Sequence, residues 1–263
     1  MKRFKRTVMA AAALTLLVGA AAQAAFLASE KEVRRQARVE WLQMKRHLPL
    51  EADERVSRYV QCVANSLIAQ LPSDQKEAFY WEVVVFDEDQ LNAMVDPNGK
   101  IAVFSGLLQV ADTQDALAAV IGHEITHATL GHTMDRMKRA ARQDIWGLIG
   151  AAATGVQVRE YLHIALALPF FREQEIESDL IGLTHMSKAG YDPRAAINFW
   201  KGMIAYNRAN RRDRPPEFLS THPSDQLRID ALIKELAPAL GNYNAAREAG
   251  RRPACQANFS APR

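Results

Sequence analysis

The sequence predicts an α+β fold in which helices dominate and a small antiparallel or mixed sheet packs against one central helix. Three observations carry this. Strong helix formers from Ala116 to Ile121 lead without a break into His123-Glu124-Ile125-Thr126-His127. Three β-prone stretches, 81–86, 91–95 and 101–104, lie just ahead of that helix, the last two joined by the turn Asp96-Pro97-Asn98-Gly99. A second helical pattern opens at Phe171 and ends on Gly190, with Pro193 just beyond.

Taken from the N-terminus, Lys2, Arg3, Lys5 and Arg6 precede an apolar run over 8–22, and Ala22-Gln23-Ala24 fits a small-residue cleavage site. The expectation is a signal peptide over 1–24, a catalytic domain over 25–240 and a C-terminal tail over 241–263. No cysteine follows the run, so a lipoprotein anchor is not supported. An uncleaved membrane anchor is the competing reading, and the apolar stretch is marginal in length for it. Removing 1–24 takes away four basic residues and no acid, so the formal charge of +3 falls to −1. The basicity belongs mostly to the leader, which removes the electrostatic case for nucleic acid as a partner. The stretch 30–46 is charged and helix-prone. The apolar stretch 145–170 is interrupted by Gly155, Gln157, Arg159, Glu160 and His163, which favours buried or surface-associating helices over a membrane span. Residues 207–216, rich in Arg and Pro, read as a loop. No repeat is present, and one domain is expected.

The central helix is where chemistry concentrates. Asp112 or Thr113 can cap it, and Asp115 sits in its first turn. Ala116, Val120, His123, His127 and Leu130 share one face and Leu117, Ile121 and Ala128 another, so the helix is apolar nearly all round and should be buried. Residues four apart lie on one face, so His123 and His127 can offer imidazoles to one zinc ion while Glu124 reaches a water on it. The competing reading is two core histidines satisfied by other partners. A hydrolytic zinc needs a third protein ligand and an open position. Gly131 and His132 stand at the wrong offsets for a metzincin. The helix after Phe171 places Arg172, Glu175 and Asp179 on one face, and Glu175 is the expected third ligand. Asp179, one turn on, can orient a ligand imidazole or donate a proton. His47, His132, His163 and His185 read as structural or exposed.

The motif HEITH, the later Arg-x-x-Glu-x-x-x-Asp, Ala189-Gly190-Tyr191-Asp192-Pro193 and Thr221-His222-Pro223-Ser224 together resemble the gluzincin family that contains the CAAX prenyl endopeptidase, HtpX and periplasmic BepA. The resemblance covers about residues 50 to 235. It departs from the family at Phe171, where Ser is common, and at Ser178, where Ala is common. It implies a zincin-like metallopeptidase fold with one zinc held by His123, His127 and Glu175, Glu124 as general base and Asp179 as catalytic partner. It further implies that Asn92 and Ala93 lie at an edge strand that pairs with an extended peptide.

His222 precedes Pro223 and so lies in a loop, which the resemblance returns to the zinc. There it could stabilise an oxyanion or fill the open position and hold the enzyme latent. The implied activity is a periplasmic zinc endopeptidase acting on unfolded or misassembled envelope proteins, with envelope or outer-membrane assembly proteins as possible partners. The alternative is a zinc-stabilised, chaperone-like assembly factor whose site His222 keeps closed. Cys62 and Cys255 are the two cysteines, neither has metal-ligand spacing, and an oxidising compartment would pair them.

Overall fold

The computed structural model describes residues 29–141, 170–210, 217–223 and 226–255. The expected signal segment, most of the apolar stretch 145–170, and His163 lie outside them. Helix α1 (Glu30–His47) begins where the Ser29 hydroxyl accepts from the Glu32 amide, and it carries acids in its first turn and bases in its last, matching the helix dipole. Helix α2 (Glu54–Ile68), capped by Asp53, buries Val56, Val60, Val63 and Leu67 on one stripe. A short α3 (Ser73–Glu77) follows.

The sheet is mixed. β1 (Glu82–Phe86) runs parallel to β3 (Lys100–Phe104), and β2 (Ala93–Val95) pairs antiparallel with β3 to give the order β1-β3-β2. The β2–β3 turn is held by Asp96, whose carboxylate accepts from the amides of Asn98 at 2.7 Å and Lys100 at 2.8 Å. Gly99 sits there at φ 84°, where a β-carbon would meet the Phe79 β-carbon at 2.8 Å.

Helix α4 (Gln114–Thr129) is capped by Thr113, whose hydroxyl accepts from the Ala116 amide at 3.1 Å. Its residues from Ala116 to Ala128 are buried on all sides except Ala119, so the all-round apolar pattern does mark the centre of the fold. Leu130, expected on the buried face, is 37% exposed. It stands at the C-cap, where the helix ends and Gly131 at φ 76° turns the chain into helix α5 (132–141).

Helix α6 (Arg172–Ala189) ends on Gly190 in the left-handed conformation, as its sequence predicts. It is followed by α7 (Arg194–Asn210), α8 (Glu217–Thr221) and α9 (Gln226–Glu248). The expected loop from residue 207 begins later, because α7 continues through Asn210. Residue 241, the expected start of the tail, falls inside α9.

One hydrophobic core joins α2, the sheet, α4, α6, α7 and α9. Cys62 and Cys255 form a disulfide with Cα atoms 5.7 Å apart, which ties the chain's end to α2. The same tail holds α4 and α6. Gln114, at the start of α4, accepts from the Cys255 amide and donates to the Pro253 carbonyl, both at 3.1 Å, and Arg251 donates to the Lys188 carbonyl near the end of α6 at 2.9 Å. Among the described residues no helix is long and apolar enough to cross a membrane.

Candidate metal centre

Helices α4 and α6 cross at two glycines. A β-carbon on Gly182 would lie 2.9 Å from the His123 amide nitrogen, and one on Gly122 would lie 3.2 Å from the Gly182 carbonyl oxygen. Backbones this close bring side chains of the two helices to a common point. His123, His127 and Glu175 meet there, and His222 joins them from the turn after α8. One ligand atom from each of the four lies within 4.8 Å of the others, and all four residues are buried.

The individual distances fix which atoms converge. His127 Nε2 is 3.0 Å from His123 Nε2 and 3.3 Å from Glu175 Oε1. His222 Nδ1 is 3.2 Å from His123 Nε2 and 3.1 Å from Glu175 Oε1. Glu124 lies alongside, with Oε1 3.3 Å from His222 Nε2 yet without a hydrogen bond, although it is buried. Three ring nitrogens and a carboxylate crowding one point repel unless a cation or protons lie between them. A donor set of imidazole nitrogens and a carboxylate, with the unbonded Glu124 carboxylate beside it, suits zinc, so the residues fit the ion the sequence suggests.

Asp179 faces the other side of His123, with Oδ1 3.0 Å from Nδ1. That carboxylate is fixed by Arg228, whose Nε and Nη2 donate at 2.7 and 2.8 Å, and by the Trp200 indole at 3.2 Å. Arg228 Nη1 also lies 2.5 Å from Glu175 Oε2, as an ion pair rather than an aligned hydrogen bond. Its guanidinium rests on the Trp200 ring at 3.7 Å. Phe170 stacks on His127 with centroids 3.8 Å apart and closes that face of the site.

Electrostatics follow from burial and these partners. Burial pushes the Glu124 carboxyl above its ordinary range, in spite of the neighbouring His222 and His123. Burial works in the same direction on Glu175, but His222 and Arg228 overcome it and hold the carboxylate well below the usual range. Asp179 is likewise lowered, because Arg228 outweighs its burial. Burial favours the neutral form of both ligand imidazoles. His127 therefore falls well below its ordinary value, whereas the Asp179 hydrogen bond and Glu175 raise His123.

The structure thus brings together His123, Glu124, His127, Glu175, Asp179 and His222. Arg172, expected on the ligand face, is exposed, and Arg228 from α9 supplies the cation instead. Asn92 falls just before the edge strand β2, and Ala93 is its first residue. Sequence reasoning does not single out Arg228, Trp200, Phe170 or the two glycines. Gly182 carries a signal: a glycine inside a helix costs about 1 kcal/mol and needs a packing reason. His132 reads as structural from sequence, and its burial against His127 ties it to the site.

A helix-borne histidine pair, met by a carboxylate from a second helix and flanked by a buried glutamate, defines a metallopeptidase-type centre of the zincin class. Residues 54–236 match the model of Peptidase family M48, and the chain belongs to that family. The family implies a divalent metal. Over 165 residues the chain is 33% identical to the mitochondrial metalloendopeptidase OMA1 of Saccharomyces cerevisiae, covering 60% of this chain and 48% of that protein. Over 189 residues it is 32% identical to metalloendopeptidase OMA1 of Danio rerio, covering 66% and 40%. It is 26% identical over 200 residues to the beta-barrel assembly-enhancing protease of Escherichia coli, covering 71% and 40%. The chain spans less than half the length of each of these relatives.

Proposed function

We propose that this protein is a zinc-dependent endopeptidase that works in the bacterial periplasm on unfolded or misassembled envelope proteins. One zinc ion would be held by His123, His127 and Glu175. The observation that carries the reading is the convergence of buried ligand atoms within 4.8 Å beside the unbonded Glu124 carboxylate. Zinc in this site supplies Lewis acidity, which activates water near pH 7 and polarises a scissile carbonyl.

Glu124 is the general base. Its buried carboxyl readily holds a proton, so it can take one from the attacking water and deliver it to the leaving amine. Asp179, braced by Arg228 and Trp200, holds the His123 ring through Nδ1 and keeps Nε2 aimed at the site.

The sheet edge supports peptide binding by strand addition. The Phe104 amide donates to Asn92, the Asp96 amide donates to Lys100, and Met94 lies opposite Ala102. In an antiparallel ladder this alternation puts the bonding groups of Asn92, Met94 and Asp96 toward β3 and those of Ala93 and Val95 away from it. Both residues are 1% exposed, so an extended chain laid along β2 would pair with them once the side chains that cover this edge move aside, with little demand on its sequence.

Export is supported by the basic-then-apolar pattern over 1–24 and by the Cys62–Cys255 bridge, which an oxidising compartment favours. The Escherichia coli relative is named for enhancing β-barrel assembly, in keeping with envelope substrates.

His222 favours a second reading. Buried and within 3.2 Å of both His123 and Glu175, it stands as a fourth donor in the position a substrate would need. A zinc-stabilised assembly factor with a closed site is the alternative. Degradation of an unfolded polypeptide by wild type, Glu124→Gln and His222→Ala separates the two. The peptidase reading expects Glu124→Gln to lose hydrolysis while zinc stays bound, and His222→Ala to alter turnover. Wild-type turnover in Glu124→Gln refutes the general base, and no proteolysis by wild type or His222→Ala selects the assembly factor.

A further inference from the structure

The two histidines of HEITH are supported unequally. His123 has a carboxylate, Asp179, directly on its Nδ1. His127 has none. Its Nε2 faces Glu175 and His123, so to serve as a ligand that nitrogen must carry the lone pair and Nδ1 must carry the hydrogen. The group opposite His127 Nδ1 is another imidazole nitrogen, His132 Nδ1, at 3.2 Å. His132 is 5% exposed, and its own Nε2 lies 3.3 Å from Glu177 Oε2, whose side chain is half exposed.

One proton arrangement satisfies every atom in this row. Glu177 accepts from His132 Nε2–H, His132 Nδ1 is then left with its lone pair, and it accepts from His127 Nδ1–H. The hydroxyl of the buried Ser178 lies beside this contact, 3.2 Å from His132 Nδ1. Any other assignment either sets two N–H groups against each other between His127 and His132 or moves the His127 lone pair away from Glu175. The Phe170 ring stacked on His127 prevents the imidazole from escaping by rotation.

We infer that His132 is a positioning residue for His127: with Glu177 behind it, it fixes the tautomer and plane in which His127 can bind the metal. The inference deepens the ligand assignment above and rests on it. The break at Gly131 accounts for the geometry, since the turn there brings His132, five residues after His127, back beside the end of α4, while Glu177 and Ser178 come from α6 beside the proposed ligand Glu175. The metal site thereby gains a link to solvent through Glu177, whereas the His123 side is sealed by Arg228 and Trp200.

The test is metal affinity of the purified full chain, read by zinc competition against a chromophoric chelator and by the absorption spectrum with cobalt(II) substituted. His132→Phe keeps the bulk and removes the acceptor. It should weaken zinc binding about 10–100-fold and alter the cobalt bands. His132→Gln, which restores a carbonyl acceptor, should recover most of that loss. Glu177→Ala, at an exposed position that cannot threaten the fold, should release zinc several-fold faster, and Glu177→Gln less so. His127→Ala is the control for the ligand itself. If wild type binds zinc and His127→Ala does not, while Glu177→Ala and any folded His132→Phe match wild type in affinity and spectrum, the relay is overturned and the ligand set stands. If His127→Ala binds as wild type does, the ligand assignment falls and takes the relay with it.

Discussion

Replacing Gly182 by alanine tests whether the close crossing of α4 and α6 builds the metal centre. A β-carbon there would lie 2.9 Å from the His123 amide nitrogen and 3.0 Å from the Gly122 carbonyl carbon, both backbone atoms that cannot swing aside. The helices must therefore part by several tenths of an ångström. Overpacking of this kind costs about 1–3 kcal/mol, while alanine recovers about 1 kcal/mol of helix propensity. The net expectation is a loss of up to about 2 kcal/mol, which for a domain of this size lowers the melting temperature by up to about 8 °C.

The displacement bears on chemistry as well as stability. His123 is itself a proposed ligand, and Glu175 lies seven positions before Gly182 on α6, so parting the helices separates the two residues directly. Thermal melting of the metal-free chain and zinc affinity of the same variant should both fall. Gly122→Ala is the graded control, because its β-carbon would meet the Gly182 carbonyl oxygen at the milder 3.2 Å. A Gly182→Ala protein that melts at or above wild type and binds zinc equally well would refute the argument. So would a Gly122→Ala variant more damaged than Gly182→Ala.

Three other perturbations have outcomes fixed by the same coordinates. Arg228→Met leaves Glu175 and Asp179 buried without their cation and should cost about 3–5 kcal/mol in the metal-free chain, measured by urea unfolding; a smaller loss on adding zinc, which recharges the site, is expected. Reduction of Cys62–Cys255, or Cys62→Ser with Cys255→Ser, frees a loop of 193 residues and should cost up to about 5 kcal/mol, with unchanged melting as the contrary result. Burial pushes Glu40 up from 4.5 to about 7, with Asp96 nearby adding to the effect against a Gln36 hydrogen bond. Because the folded value lies above the unfolded one, the native state is penalised as pH rises from about 4.5 to 7, and the penalty is complete above that. Glu40→Gln should accordingly be more stable than wild type at pH 8, by at most about 3 kcal/mol, and the advantage should vanish below pH 4.5. Equal stability at pH 8 would remove the burial argument.

What sequence makes legible here is whatever obeys a local period. The helix bearing His123 and His127, the strands around Asp96-Pro97, and the Gly190 stop all follow from spacing, capping or turn chemistry within a few residues. The remaining parts of the site depend on contacts between elements distant in the chain. Arg228 reaches Asp179 across 49 positions, and nothing near it in sequence separates it from a solvated helical arginine. Arg172, only three residues from Glu175, has the right local spacing and points to solvent. Spacing on one helix decides which residues can share a face, but the neighbouring helix decides which face is buried.

The same distinction explains why the tail belongs in any account of the metal centre. α4 and α6 carry the three proposed ligands, and the helices touch at glycines that add no side-chain packing of their own at the crossing. Their relative placement must then be held elsewhere. The segment ending in Cys255 does this from one side: it bonds Gln114 at the start of α4 and Lys188 at the end of α6, and its disulfide anchors it to α2. Gly190 allows the approach, since a β-carbon there would sit 2.2 Å from the Arg251 carbonyl oxygen. Arg228 does it from the other side by joining Glu175 and Asp179 of α6 to α9, while Asp179 reaches His123 of α4. If this division is right, losses from Gly190→Ala and Gly182→Ala should exceed or fall short of additivity by more than about 0.5 kcal/mol in a double-mutant cycle, because both alter one interhelical placement. Strict additivity would mean that the tail stabilises the fold without setting the ligand geometry.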